Sequence, residues 1–236
     1  MKTIIHKADT RGYFNHGWLK THHTFSFAGY YDPKRTHFGL LRVLNDDTID
    51  PGMGFGTHPH DNMEIVTIPL EGTLEHQDST GHKEVLKTEE VQIMSAGSGL
   101  THSEYNHSKA EPVTLLQIWV FPKEKDITPR YDQKIFDKKD RENKLNTMVS
   151  PEKNGHSLWI NQDAYFSRLK LDSGKSFEYK INKNSNGLYV FLIDGKINID
   201  GQTLDTRDGI GIEDTNAVSL KAEKDSEILF IEIPMR

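Results

Sequence analysis

Short β-rich runs, each closed by Gly, Asp or Asn, recur along this chain and leave little room for a helical period. Residues 38–44, 64–70, 91–95, 113–121, 164–171, 188–193 and 228–233 concentrate β-branched and aromatic side chains between turn formers. Helical periodicity is confined to residues 136–145, in a charged stretch that includes KKDRENK. The chain is therefore expected to be all-β. Its 236 residues suffice for one large β domain or two small ones.

An internal likeness favours two. EIVTIPLEGTLEHQDSTG at 64–81 runs from an apolar stretch through an acidic residue and Gly72 into a short strand and a turn. LYVFLIDGKINIDG at 188–201 does the same around Asp194 and Gly195. Two copies of one β unit, joined by a linker, account for both. The expected boundaries are 1–122 for the first unit, 123–150 for a linker with a short helix, and 151–236 for the second.

Composition removes several function classes. The formal net charge is −6 and no basic block is present, so no electrostatic footprint for nucleic acid or an anionic membrane exists. No apolar run approaches membrane-spanning length, and the N-terminal residues turn polar quickly, so the expected compartment is the cytoplasm. Cysteine is absent, which excludes disulfides and thiolate ligands. Any metal must be held by imidazole and carboxylate.

The histidines then become informative. GFGTHPHDNMEIV at 54–66 places His58 and His60 two residues apart, but twelve histidines in such a chain supply roughly 0.6 pairs of this kind by chance. The surroundings carry more. On a strand, residues i and i+2 share a face, with α-carbons about 6.6 Å apart. SAGSGLTHSEYN at 95–106 repeats the spacing with His102 and Glu104. Two such strands facing one point would offer three nitrogens and a carboxylate, a donor set suited to a first-row metal with positions left for exogenous ligands. Gly52, Gly54, Gly56, Gly97 and Gly99 crowd the approaches, where close backbone passage is needed. Spacing alone leaves Glu64 and Glu104 both open as the carboxylate.

These spacings resemble the two signatures of the cupin superfamily: Gly52-x5-His58-x-His60-x3-Glu64-x7-Gly72, and Gly99-x2-His102-x3-Asn106. Two details depart from it. Gly97 stands where a proline is usual, and the distance to Gly72 is one residue long. FGTHPHDNMEIVTIPLEGTLEHQDS and QIMSAGSGLTHSEYN, with ADTRGYFNHGWLKTHHTFSF and LLRVLNDD upstream, resemble the pirin family more closely still. The likeness is greatest to short bacterial members, some of which are described as quercetin 2,3-dioxygenases. The resemblance covers most of residues 1–122 and implies a bicupin, two jelly-roll-like β-barrel domains. It implies metal ligands at His58, His60, His102 and Glu104, and so chooses Glu104 over Glu64. With Gly195 set on Gly72, His58 and His60 fall on Ile181 and Lys183, and no histidine lies beyond His156. One metal per chain is expected, with the second unit left to packing.

Of the other histidines, His22, His23, His37 and His76 could line the site or support it; the plainer expectation is a structural role for each. Phe25, Phe27 and Phe55 are expected in the core before they are expected on a pocket wall.

A divalent ion on three neutral imidazoles and one carboxylate carries a formal charge of about +1 and attracts an anionic oxygen such as an enolate or a flavonol 3-olate. Fe(II) is the first expectation, with Ni, Cu, Co, Mn and Zn as alternatives that imidazole also suits. Glu104 is placed to accept the substrate hydroxyl proton and is the expected catalytic residue. The resemblance implies oxygenolytic opening of a flavonol such as quercetin by O2 with loss of carbon monoxide. A small aromatic enediol is an equally acceptable substrate class. The alternatives are a metal-bound redox-sensing regulator that binds protein partners without turnover, as eukaryotic pirins are described, and a closed structural zinc site.

Overall fold

The computed structural model describes residues 1–153 and 155–236. Strands dominate throughout. In the first part of the chain they are β1 (Lys2–His6), β2 (Gly12–Asn15), β3 (Leu19–His23), β4 (Leu41–Ile49), β5 (Gly54–His60), β6 (Glu64–Glu71), β7 (Thr73–Asp78), β8 (Lys83–Lys87), β9 (Glu90–Ser95), β10 (Leu100–Asn106), β11 (Val113–Val120) and β12 (Arg130–Ile135). The remainder holds β13 (Asn146–Ser150), β14 (Leu158–Trp159), β15 (Tyr165–Leu171), β16 (Ser176–Lys180), β17 (Asn186–Asp194), β18 (Lys196–Ile199), β19 (Gln202–Asp205), β20 (Gly209–Glu213), β21 (Ala217–Ala222) and β22 (Ser226–Pro234).

Each lobe is a large sheet facing a small one. The first pairs the order β12-β9-β6-β11-β4-β3-β2 with β5-β10-β7-β8, and the second pairs β1-β20-β17-β22-β15-β13-β14 with β16-β21-β18-β19. These are the jelly-roll-like domains expected from the sequence, and they do not close into full barrels: the edge strands of each large sheet do not pair with the small one. The internal likeness has a physical basis. Gly72 (φ 77°) and Gly195 (φ 105°) sit where β6 turns into β7 and β17 into β18, carrying the chain from the large sheet to the small one. A Cβ at either corner would lie under 3 Å from the backbone of a neighbouring strand, Pro112 O at 2.8 Å and Asp225 O at 2.4 Å.

The two large sheets pack back to back. Strand alternation shows this directly in β17, where Tyr189, Phe191 and Ile193 join the core shared with Val66, Ile68, Leu116 and Ile118 of the first lobe. Leu188, Val190 and Leu192 face the other way and fill the second lobe with Ile197, Ile210, Ile228 and Phe230. The interior of the first lobe is different. Its apolar residues form two separate clusters, one around Leu74, Leu86, Val113 and Leu115 and one around Ile65, Met94 and Leu100. Polar side chains occupy the space between. Successive register partners Gln92, Thr67, Gln117, Asn45 and His23 run across five adjacent strands of the large sheet.

The stretch between the lobes contains more strand than expected. β12 extends the first lobe's large sheet by pairing with β9, and β13 pairs with β15 of the second. The short helix is a single 3-10 turn, Lys138–Arg141. With no apolar stripe it has nothing to bury along a longer helix. Its Arg141 is instead buried as a bridge: the guanidinium binds Glu89 of the first lobe and, at 3.1 Å from Nε, Glu227 of the second, which Arg168 also engages. At the other end of the chain, β1 crosses over and pairs with β20 of the second lobe.

Gly97 explains its own departure from the usual proline. Its φ is +50°, unreachable for proline, and a Cβ there would lie 2.0 Å from the Ile127 carbonyl oxygen, which accepts from the Ser98 amide. We expect Gly97→Ala to destabilise the protein by on the order of 1–3 kcal/mol in denaturant unfolding. A neutral substitution would show that this turn relaxes freely.

Candidate metal centre

The small sheet of the first lobe builds the site by alternation. In β10, His102 and Glu104 project from one face, and their cross-strand partners project with them. His102 stands opposite His58 of β5 on one side and Asp78 of β7 on the other; Glu104 stands opposite Phe55 and His76. Between those pairs, Gly56 and Thr57 oppose the single Ser103, a bulge that re-aims β5 just before His58.

The three imidazoles converge. Ring centroids lie 4.9 Å apart for His58 and His60, 4.4 Å for His58 and His102, and 4.9 Å for His60 and His102. One ligand atom from each falls within 4.8 Å of the others. Nδ1 of His58 donates to the Gly56 carbonyl at 2.8 Å, which leaves Nε2 as a lone-pair donor. Glu104 belongs to a second group, with His102 and His76, within the same 4.8 Å limit. The expected four residues thus meet through His102: three nitrogens in one group, and the carboxylate joined from the adjacent register row. Oε2 of Glu104 accepts from Gln117 Nε2 at 2.9 Å, while Oε1 has no partner.

Glu64, the other carboxylate, faces elsewhere. It shares the parity of Val66 and Ile68 on β6, so it points toward the second lobe. Its Oε2 accepts from Ser95 Oγ at 2.8 Å and from the Asn161 amide at 3.1 Å. Glu64 is in neither metal-capable group found among the described residues.

Burial governs the electrostatics. It pushes Glu104 up to about 7, helped by the neighbouring Asp47 carboxylate and opposed by the Gln117 hydrogen bond. Burial likewise lowers His60 to about 4 and His102 well below the ordinary imidazole range, with the neighbouring histidines adding to both. Both ring nitrogens of His102, Nε2 of His60 and Oε1 of Glu104 are buried without a hydrogen-bond partner. Each such atom costs roughly 1–3 kcal/mol when left unsatisfied. A divalent cation answers nitrogen lone pairs and a buried carboxylate together, so these residues fit a metal.

A cavity of about 500 Å³ opens from this cluster. Trp18, Phe27, Phe55 and Trp119 line it, and the Trp119 ring meets His60 edge-on at 4.8 Å. Phe25 instead lies in the core between the lobes. His23, whose Nδ1 is 2.8 Å from Asn45 Oδ1, also lines the cavity, as does Asp47, 4% exposed with Oδ1 unpartnered. Neither Asp47 nor the polar row beside it was anticipated from sequence. Asn45-x-Asp47 has the same i, i+2 spacing as the histidine pairs, and that was the available signal. His22 stacks on Tyr13 and is not among the residues that line the cavity.

With the geometry in view, the relatives are decisive. The Pirin family model matches residues 5–120, and the model of the quercetinase C-terminal cupin domain matches residues 147–233. A quercetin 2,3-dioxygenase of Escherichia coli K12 is 46% identical over 230 residues, covering 98% of both chains. The chain belongs to the pirin family. Another family member, a pirin-like protein of Caulobacter vibrioides, is 40% identical over 225 residues, covering 95% of this chain and 96% of its own. Among solved structures, the Escherichia coli pirin YhhW in complex with nickel(II) superposes with a TM-score of 0.93 at 44% identity, covering 99% of each chain.

The sign of the Glu104 shift sets a pH dependence for the metal-free pirin. A carboxylate raised from about 4.3 to near 7 on folding binds its proton more tightly when folded, so its stabilising effect is complete below about pH 4 and is lost as pH rises through 7. Denaturant midpoints of the metal-free protein should fall from pH 5 to pH 8, and fall less in Glu104→Gln. Equal slopes for the two proteins would show that Glu104 ionises without penalty.

Proposed function

We propose that this pirin is a metal-dependent dioxygenase that opens the flavonol ring of substrates such as quercetin with O2, releasing carbon monoxide. The observation that carries this reading is the convergence of three imidazoles and a buried carboxylate at the end of an aromatic-walled cavity. The near full-length likeness to the Escherichia coli quercetin 2,3-dioxygenase supports it.

The residues divide the work. His58, His60, His102 and Glu104 would hold one divalent transition metal, Fe(II) first and Ni(II) as the ion seen in the homologous structure. When bound, that ion supplies a positive focus for the deprotonated 3-oxygen of the substrate and, if redox-active, a site for O2. Glu104 takes the hydroxyl proton on Oε1, since Gln117 holds Oε2. Trp18, Phe27, Phe55 and Trp119 give flat apolar surfaces to an aromatic ring system and keep water from the reacting centre. Asp47 and Asn45, which line the same cavity, offer side-chain oxygens to the hydroxyl groups of a polyphenol.

The test is turnover. Protein loaded aerobically with Fe(II) or Ni(II) should bind about one ion per chain, consume quercetin and release carbon monoxide. His102→Ala should abolish turnover, and His58→Ala/His60→Ala should lose the ion. A filled site with no turnover on any flavonol would transfer the reading to a metal-bound regulator of protein partners. Asp47→Asn should raise KM roughly tenfold with metal content unchanged; an unchanged KM would place the substrate elsewhere in the cavity.

A further inference from the structure

The small sheet presents a third i, i+2 pair beside the two already described. His76 and Asp78 of β7 are the register partners of Glu104 and His102, so they face the same side. Both are buried, His76 completely. Nε2 of His76 lies 3.1 Å from Asp78 Oδ2. Asp78 also accepts from the Thr80 amide at 2.8 Å, Thr80 Oγ1 at 2.7 Å and the His82 amide at 3.2 Å. With Oδ1 taken up by these three donors, Oδ2 accepts from His76, so the His76 proton is on Nε2 and Nδ1 carries a bare lone pair. Tyr131 of β12 stacks on the same imidazole, centroids 4.5 Å apart, and fixes its plane.

That lone pair has no partner among the described residues, although it is wholly buried. Its neighbours are His102, with ring centroids 5.3 Å apart, and Glu104. His102 has the complementary deficit. A neutral imidazole that gives one nitrogen to a cation carries its proton on the other, and neither nitrogen of His102 has an acceptor. A metal-bound histidine ordinarily donates its second N–H to a carboxylate, a carbonyl or water. His58 meets that requirement through Gly56. For His102, once Glu104 is given to the metal, the neighbouring side chain with an unused acceptor is His76.

We propose that Asp78 and His76 form a relay behind the metal centre, in which His76 Nδ1 accepts the second N–H of His102 and so fixes which nitrogen His102 gives to the ion. His76 is then a positioning residue: it touches neither substrate nor metal. Its electron pair, backed by the Asp78 charge, raises the basicity of His102 as a ligand. The proposal rests on the metal-bound reading of the site and concerns a side chain that reading leaves unused.

The experiment compares His76→Leu with His76→Gln in the full chain, each first shown to be folded by circular dichroism. Metal affinity is read by chelator competition with Ni(II) and Co(II), the ligand field by the Co(II) absorption spectrum, and the His102 tautomer by ring 15N NMR of the Zn(II) protein. His76→Leu should weaken affinity roughly 10–100-fold, shift the Co(II) bands and mix the His102 tautomers. His76→Gln, whose amide oxygen can accept in place of Nδ1, should recover most of the affinity and a single tautomer. Asp78→Asn should act like His76→Leu, because an amide in its place can turn the His76 proton onto Nδ1. Unchanged affinity, spectrum and tautomer in His76→Leu would overturn the relay while leaving the metal centre standing. Metal retained by His58→Ala/His60→Ala and lost on adding His76→Ala would also overturn it, by making His76 a ligand itself. Failure of the unaltered protein to bind any of the three ions would instead remove the reading beneath it.

Discussion

Everything at this site depends on the two-residue period of three adjacent strands. Because β5, β10 and β7 run antiparallel with His102 level with both His58 and Asp78, each strand contributes an alternate pair to the same face. A slip of one residue in β10 would send His102 and Glu104 outward and bring Thr101, Ser103 and Tyr105 in. The bulge at Gly56 and Thr57 and the corner at Gly72 hold the register against such a slip. The chemistry is thus a property of strand pairing before it is a property of any one side chain.

The same period shows how the two lobes differ. Both large sheets are buried on both faces. In the second lobe both faces are apolar, and the interior closes into one continuous cluster. In the first, the inward row from Gln92 to His23 is polar, and the apolar residues withdraw into two clusters on either side. The first lobe gives up part of its hydrophobic core to make room for a charged centre. The back-to-back packing of the large sheets and the Glu89–Arg141–Glu227 bridge tie it to a lobe that keeps its own core intact.

Much of this was legible in the chain. The i, i+2 pairs drew attention to His58 with His60 and to His102 with Glu104 because strand geometry puts such pairs on one face, while the full ligand set came from the resemblance to pirins. Gly72 and Gly195 marked equivalent corners because both carry a backbone conformation that other residues resist. The choice between Glu64 and Glu104 was not readable from spacing. β6 is buried on both faces, so no polar alternation tells which side of it looks into the site. Asp78 was obscured for a related reason, and His76 was noted only as one histidine among four: their importance lies in the pairing of β7 with β10, which no local pattern encodes. β12 looked like linker because Arg130–Ile135 is charged, yet an edge strand tolerates charge along its open side.

The placement of β1 has a consequence for how such a chain comes to be folded. Lys2–His6 hydrogen-bonds with Gly209–Glu213, which is made roughly two hundred residues later. On the ribosome, the opening segment must therefore wait unpaired while the entire first lobe forms beside it. Lys2 and Thr3 stay on the surface even when docked, which suits a segment that spends its early life in water. Closure of this seam has to wait for distant residues, so a ribosome that stalls before residue 209 leaves Lys2–His6 without the strand it pairs with.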